Sequence, residues 1–379
     1  MKTNRLPLYV LFVLVGVAIV WRIANPPAPA LPGPVGIFPA WKSIATLGDL
    51  GAQATNPGGT MWAGAWNQKL PDGKMRSGVR IIKFLSYTQK STGLPEGAST
   101  QYLSWADDTK VRALCSEAGK NAQIVYIDGA TGERKQDTRL NESVERVLAW
   151  PSASDMIAVV LDGNDKTATL AVLSESGKDV VGKEIKFDIP KDGEIVDGGG
   201  VALDGSAFVF CVSDPAAKDG KAYYIADTAA GTAKKAFDLA AVPGRIEGIW
   251  PSKDGMLLVC SVKDKLEDVT YDPATGKLTE QPNGIGDVAK YPGAPKSIAK
   301  TNYDGGFEFD VANGKSKVVL DMSKRNSEGD KHWRDFLRDS RLYKLSDGNF
   351  VTVAETGGAM DIREIKPDGS IYRAYLSRM

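Results

Sequence analysis

The fold class is decided by residues 250–260, which read Trp250-Pro251-Ser252-Lys253-Asp254-Gly255-Met256-Leu257-Leu258-Val259-Cys260. An Asp-Gly turn is followed at once by an apolar strand. A turn Asp before an apolar strand recurs at four further positions: Asp108, Asp155, Asp204 and Asp347. The intervals between successive turn Asp residues are 47, 49, 50 and 93, and the last spans two periods, with a shorter unit between that turns at residues 292–295. This spacing predicts a repeat architecture.

Each unit contains three more short strands. One of them ends in a second turn that begins with Asp, and this turn occurs at Asp128, Asp227, Asp272 and Asp310. The residues one and three positions before each of these Asp are apolar, which is the period of a half-buried strand. Opening strands such as 102–105 and closing strands such as 184–187 complete the unit. Four short strands in every 40–55 residues or so predict an all-β fold, a β-propeller.

The repeat also predicts the number of blades. Six regular units run from Ser99 to Met379, and a less regular unit lies between Ser43 and Gly97. We therefore expect about seven four-stranded blades, although six or eight are also compatible with the pattern. A length of 379 residues would otherwise suggest two or three domains. The repeat instead predicts one closed β-propeller domain over residues 41–379.

The N-terminus has the pattern of a membrane signal. Lys2 and Arg5 precede an uncharged apolar run that extends from residue 6 to residue 21, before Arg22. One interpretation is a transmembrane signal-anchor helix over residues 1–24, with Arg22 reaching the interface. The other is a secretory signal peptide that is cleaved. Both place the remaining chain outside the cytoplasm, because the basic N-terminal residues stay inside.

A proline-rich linker follows over residues 25–40. Five of the ten residues from Asn25 to Pro34 are Pro, which favours an extended, semi-rigid spacer. The anchor interpretation therefore predicts a single-pass protein of the cell membrane with its C-terminal domain outside the cytoplasm. The signal-peptide interpretation predicts a secreted or periplasmic protein.

Composition excludes several kinds of site. Lys plus Arg and Asp plus Glu both number 47, and this balance argues against nucleic-acid binding, which usually needs a basic excess. A single His and three Cys exclude most zinc-site patterns, a dense disulfide framework and haem attachment. We therefore expect no metal and no cofactor. Cys115, Cys211 and Cys260 each lie six or seven residues after a turn Asp. They are expected as buried residues that point the same way in separate sheets, too far apart for a disulfide.

Two segments supply candidate binding residues. Trp62 and Trp66 share one face of a strand, where they could stack a sugar ring or an aliphatic ligand, and core packing is the alternative. Residues 323–341 break the strand rhythm. This segment is interpreted either as a solvated insertion anchored by its aromatic side chains or as a binding loop. Its candidate residues are His332, Trp333, Arg334 and Arg338. No catalytic residue is predicted, because no Gly-x-Ser-x-Gly nucleophile elbow accompanies His332.

The turns also resemble a known family. Residues 250–255 and Trp150-Pro151-Ser152 look like the aromatic–Ser/Pro–Asp–Gly turn of WD40-like repeats in bacterial TolB-type propellers. The Asp-Pro-Ala-Thr-Gly turn at 272–276 is similar to the strand-ending turn of the same group. The resemblance covers about 280 residues. It implies a β-propeller and an extracytoplasmic role in binding or scaffolding.

These observations lead to one expected function and to alternatives. We expect a membrane-tethered, extracytoplasmic and monomeric propeller, a non-catalytic binding or scaffolding module for an unknown protein or glycan partner. The first alternative is a propeller-fold enzyme, of the lyase or glycoside hydrolase type, with carboxylates at the mouth of the central channel. A purely structural envelope protein is the second. Carboxylates or arginines that converge in one concave site would favour the enzyme, whereas charges dispersed around an open channel would favour binding.

Overall fold

The computed structural model describes most of the chain from Leu50 onward, together with one short strand before it. The described residues are 36–37, 50–56, 58–70, 72–84, 88–95, 97–117, 120–140, 144–149, 156–174, 177–263, 265–302, 305–321, 341–345, 347–356, 359–366 and 371–378.

The strands form seven sheets, which we number as blades in chain order. Blade 1 contains β2 (Leu50–Thr55), β3 (Met61–Lys69), β4 (Met75–Lys83) and β5 (Thr88–Gly93). Blade 2 contains β6 (Ser99–Trp105), β7 (Lys110–Glu117), β8 (Lys120–Asp128) and β9 (Arg134–Arg139). Blade 3 contains β10 (Arg146–Ala149), β11 (Ile157–Gly163), β12 (Thr167–Leu173) and β13 (Val180–Asp188). Blade 4 contains β14 (Glu194–Val201), β15 (Ala207–Ser213), β16 (Lys221–Asp227) and β17 (Thr232–Asp238).

The last three blades are less uniform. Blade 5 contains β18 (Arg245–Ser252), β19 (Gly255–Val262), β20 (Lys265–Asp272) and β21 (Lys277–Glu280). Blade 6 contains β22 (Ser297–Asn302), β23 (Gly305–Asp310) and β24 (Lys315–Asp321). Blade 7 contains β25 (Arg341–Lys344), β26 (Phe350–Thr356), β27 (Ala359–Ile365) and β28 (Ile371–Arg378), and β1 (Gly36–Ile37) pairs in parallel with β28 at its edge. Short 3₁₀ turns lie at Lys218–Gly220, Leu239–Ala241 and Val288–Lys290.

This architecture confirms the predicted all-β propeller with seven blades. The six regular sequence units are blades 2 to 7, and the irregular unit is blade 1. The predicted N-terminal helix lies outside the described residues, and the predicted boundaries at 24 and 40 stay predictions. In the described part of the chain, no helix is long and apolar enough to cross a membrane.

The apolar core lies between the blades, because both faces of each middle strand are covered. Phe208 and Phe210 of β15 pack into a cluster shared with blade 3. Val209 and Cys211 of the same strand point to the opposite face and join a cluster shared with blade 5. Side chains alternate along a strand, so a strand buried on both faces shows the continuous apolar run seen in the sequence.

The strand-ending turns that begin with Asp have the same geometry in four blades. In blade 5, the amide of Gly276 donates to the carbonyl of Asp272 at 2.8 Å, and the Asp272 carboxylate accepts from the amide of Ala274, also at 2.8 Å. Gly276 has φ of 68°, a left-handed conformation that favours glycine. The same main-chain bond closes the turns that begin at Asp128, Asp227 and Asp310.

Blade 6 is the exception to the four-stranded pattern. Its turn at residues 310–314 is of the type that joins the third and fourth strands of blades 2, 4 and 5. The three strands of blade 6 therefore correspond to the second, third and fourth strands elsewhere. In place of a first strand, the described chain runs through residues 281–296 with the 3₁₀ turn Val288–Lys290.

Strand alternation places two kinds of turn at one end of the propeller. The turns between first and second strands and between third and fourth strands lie at the same end, because neighbouring strands are antiparallel. We call this end the turn face. It includes residues 203–206, 227–231, 252–255, 272–276 and 310–314.

The cysteines confirm one expectation and correct another. All three are free and buried in second strands, as predicted. However, they do not point the same way. Cys211 lies seven residues and Cys260 six residues after the turn Asp of its blade. Cys211 and Cys260 face each other's blades and share one apolar cluster, whereas Cys115 joins the cluster between blades 1 and 2. Cys115 and Cys211 therefore face opposite ways round the ring, although both lie seven residues after a turn Asp.

Candidate functional site

The two predicted tryptophans are buried in blade 1. Trp62 is fully buried and Trp66 is 7% exposed. Both pack on glycines: a Cβ on Gly64 would lie 2.2 Å from the Trp62 ring, and a Cβ on Gly78 would lie 2.3 Å from the Trp66 ring. Their environment is that of core residues, and the ligand-stacking role stays a prediction. The other predicted binding residues lie outside the described residues: His332, Trp333, Arg334 and Arg338.

Ion pairs join charged side chains of neighbouring blades. On β18, an Arg245 guanidinium nitrogen is 2.9 Å from Glu247 Oε1, which also lies 2.5 Å from Lys300 Nζ of blade 6. Burial acts to raise the pKa of Glu247, but hydrogen bonds from Lys300 and Arg245 outweigh it, so the pKa falls below its usual value. Arg146 and Glu194, from blades 3 and 4, are 4.0 Å apart. Glu247 and Glu194 thus lie on different blades, and each of these carboxylates has a cation beside it.

A cleft of about 750 Å³ opens on the turn face at blade 6, and we call it the blade 6 cleft. Its charged and polar lining comes from four separate stretches of the chain. These residues are Asp287, Lys296, Ser297, Glu308, Asp310, Asn313, Lys315, Ser316, Lys317 and Lys344.

The carboxylates of the blade 6 cleft are already satisfied by the protein. Glu308 accepts a hydrogen bond from the Ser297 hydroxyl at 2.7 Å and is ion-paired with Lys344. Burial alone would raise the pKa of Glu308, but these bonds from Lys344 and Ser297 lower it below its usual value. Asp310 accepts from the Asn313 side chain at 2.8 Å, and this bond leads the lowering of its pKa. Both groups are therefore held ionised at neutral pH.

Three lysines of the same cleft are not satisfied in this way. Lys296, Lys315 and Lys317 are exposed, and their ammonium groups make no hydrogen bond or ion pair with the residues that the structure describes. Lys315 and Lys317 lie opposite Asp310 and Glu308 in the β23–β24 ladder, and their charges help to lower the pKa of these two carboxyl groups. Their ammonium groups are therefore available to a ligand.

A second cleft, of about 600 Å³, lies on the turn face between blades 4 and 5. It is lined by turn residues of both blades, including Ser206, Asp227, Lys253 and Pro273. Lys234 at its wall donates to the Pro273 carbonyl at 2.9 Å. None of the described residues that line either cleft is aromatic.

A buried carboxyl of β20 was missed by sequence reasoning. Asp268 is 1% exposed, and neither of its oxygens accepts a hydrogen bond from a described residue. Desolvation, with a further contribution from the charge of Asp310, raises its pKa to about 7. Strand alternation after Leu266 would have placed Asp268 on the face toward blade 6. The strand-ending pattern in the sequence covers only the three positions before Asp272, and Asp268 lies one position earlier.

No metal centre is found in the part of the chain that the structure describes, where no group of three or more His, Cys, Asp or Glu side chains could hold a metal ion.

Comparisons with known proteins assign no relative. The sequence matches no family profile and no curated protein. Among solved structures, it is similar to a prolyl endopeptidase at 11% identity and a TM-score of 0.46, covering 86% of this chain and 50% of that one. It is also similar to an acylaminoacyl peptidase bound to a chloromethyl ketone, at 13% identity and a TM-score of 0.45, covering 88% of this chain and 52% of that one.

A third similar structure is TolB from Acinetobacter baumannii, at 13% identity and a TM-score of 0.37, covering 82% of this chain and 80% of that one. The chain spans about half the length of the two peptidases that it matches. The assignment of the fold rests on the seven sheets and their strand order. These sheets confirm the β-propeller fold that the resemblance implies.

Proposed function

We propose that this protein is a membrane-tethered, extracytoplasmic propeller that binds a partner protein on its turn face and catalyses no reaction. The observation that supports this most directly is the state of its carboxylates. Glu247, Glu308 and Asp310 each have hydrogen-bond partners and a pKa below the usual value. Charges arranged in this way are suited to recognition, because they are fixed in position and stay ionised over a wide range of pH.

A protein is favoured over a glycan as the partner. Sugar rings are commonly bound against aromatic side chains, and neither described cleft offers one. Both clefts instead expose lysines, hydroxyl groups and main-chain turns, which suit the polar rim of a protein interface.

An enzyme is the second candidate, because Asp287, Glu308 and Asp310 converge in the blade 6 cleft. Glycoside hydrolysis by two carboxyl groups needs one of them to be a general acid with a raised pKa. The pKa of Glu308 and that of Asp310 are both lowered. Asp268 has the raised pKa, but it is buried away from any substrate. Turnover of a polysaccharide panel that is abolished by Glu308→Gln would favour the enzyme.

Site-specific photo-crosslinking tests the binding role. A photoreactive amino acid replaces Lys253 or Asn313 on the turn face of the full-length chain, and Lys218, exposed on the opposite end, serves as the control. We expect a discrete protein adduct in intact envelopes from at least one turn-face position and none from position 218. The proposal fails if no position gives an adduct, or if position 218 gives the same adducts.

Carbonate extraction of membranes tests the tether. An uncleaved anchor keeps the full-length chain in the membrane pellet, because about 17–25 apolar residues suffice to span the bilayer. Release of a shortened chain into the supernatant would instead show that the N-terminal segment is a cleaved signal.

A further inference from the structure

The lysines of the blade 6 cleft outnumber the carboxylates there. Lys296, Lys315, Lys317 and Lys344 line it together with Asp287, Glu308 and Asp310. The carboxylates are engaged within the protein: Glu308 with Lys344 and Ser297, Asp310 with its own turn, and Asp287 with the amide of Ala289 at 3.0 Å. Among the described residues, the cleft therefore presents to solvent three lysines whose ammonium groups hold no hydrogen bond or ion pair, whereas its carboxylates are already engaged.

The lysines of β24 are spaced in a regular way. Lys315 and Lys317 are two residues apart on one strand, so they share a face and lie roughly 6.5–7 Å apart along it. Alternate side chains of any extended peptide have the same repeat. Carboxylates at every second position of such a peptide would meet both ammonium groups, and Lys296 lines the same cleft from the segment before β22.

We infer that the blade 6 cleft binds an acidic polypeptide segment in an extended conformation, held by Lys296, Lys315 and Lys317. The inference rests on the proposed binding function and names the chemistry of the partner. A volume of about 750 Å³ is far larger than a single inorganic anion needs. The absence of aromatic residues from the described lining favours a peptide over an acidic glycan.

The test is a titration of the full-length protein in detergent with a fluorescein-labelled peptide of alternating Glu and Ser. We expect saturable binding at low salt that weakens as NaCl is raised, because exposed charges are screened. In the double variant Lys315→Glu, Lys317→Glu, two attractions become repulsions. Exposed ion pairs are individually weak, but two of them are reversed here, so affinity should fall about tenfold.

A matched control uses lysines of another outermost strand. Lys183→Glu with Lys186→Glu makes the same charge change on β13 of blade 3 and should leave the affinity unchanged. Circular dichroism should be the same for both double variants, since all four residues are exposed. As a charge swap, the Lys315→Glu, Lys317→Glu protein should gain affinity for a peptide of alternating Lys and Ser.

Three outcomes would overturn the inference. They are no binding of the acidic peptide at low salt, an equal loss in the blade 3 control, and tighter binding of oligogalacturonate, an acidic glycan, than of the peptide. If photo-crosslinking from the turn face still captures a protein while the peptide does not bind, the proposed function stands and only this assignment of the ligand falls.

Discussion

Asp268 is a carboxyl group enclosed between blades 5 and 6. Its neighbour on the same face of β20, Leu266, belongs to an apolar cluster with Val259 and Phe309. With no donor from the described residues and the charge of Asp310 nearby, ionisation of Asp268 is unfavourable. A pKa of about 7 means that its charge changes near neutral pH.

This carboxyl should make the stability of the propeller depend on pH. The folded state holds the Asp268 proton up to about pH 7, whereas the unfolded chain releases it near its ordinary pKa of 3.8. The folded state thus binds more protons between these values, so the free energy of unfolding falls as pH rises through this window. Each pKa unit corresponds to about 1.4 kcal/mol, so the difference between 3.8 and about 7 makes this loss on the order of 4 kcal/mol.

Asp268→Asn should remove this loss. Urea unfolding at several pH values between 4 and 8 is expected to show a flatter profile for the variant than for the unchanged protein. The exposed Glu280→Gln, on the neighbouring strand β21, is the control and should keep the original slope. Parallel profiles for the unchanged protein and Asp268→Asn would show that Asp268 is ionised in the folded state.

The turn between third and fourth strands is the element that recurs most faithfully. In blade 4, the Asp227 carboxylate accepts from the amides of Ala229 and Ala230, both at 2.9 Å. Asp227→Ala should lower the free energy of unfolding by about 1–2 kcal/mol, because two hydrogen bonds are lost. Urea unfolding measures this, and Asp227→Asn, which keeps the accepting oxygen, should lose much less. Equal losses in the two variants would mean that the side-chain bonds contribute nothing.

Elements were easier to predict than sites, because their signals are local. The strand that ends at Asp272 could be predicted, since Tyr271 and Val269 are apolar and both prove buried. The blade 6 cleft could not be predicted, because Lys296 and Lys317 meet only when the strands of blade 6 pair, and Lys344 comes from blade 7. The common facing of the cysteines was wrong for a different reason: distance from a turn Asp does not set the face, since Cys115 packs toward blade 1 and Cys211 toward blade 5 at the same distance.

At the scale of the whole molecule, the blades form a ring in which each is supported by its neighbours. Apolar clusters join blade 1 to blade 2 and continue around to blade 7. Losing one blade would expose the faces of two others, so we expect the ring to unfold as one unit rather than blade by blade. An open linear array, by contrast, can lose terminal repeats separately.

The cysteines report on this cooperativity. Cys115 and Cys260 lie in blades 2 and 5, and both are fully buried. Burial, together with nearby carboxylates, raises the pKa of Cys260 to about 12, which keeps the unreactive thiol form. In variants that retain only Cys115 or only Cys260, labelling by a thiol reagent should begin at the same urea concentration, coincident with the loss of strand signal in circular dichroism. Clearly different midpoints would show that the blades open independently.

The edge of blade 7 has a mechanical consequence. Gly36 and Ile37 pair with Tyr375 and Leu376, which is a connection of only two residue pairs. The four strands β25 to β28 that make up the blade are consecutive in the chain and do not depend on this contact. A force that pulls on the chain before Gly36 would therefore act first on this short pairing. This pairing would break at a low force, and the pulled chain would lengthen while blade 7 stays closed.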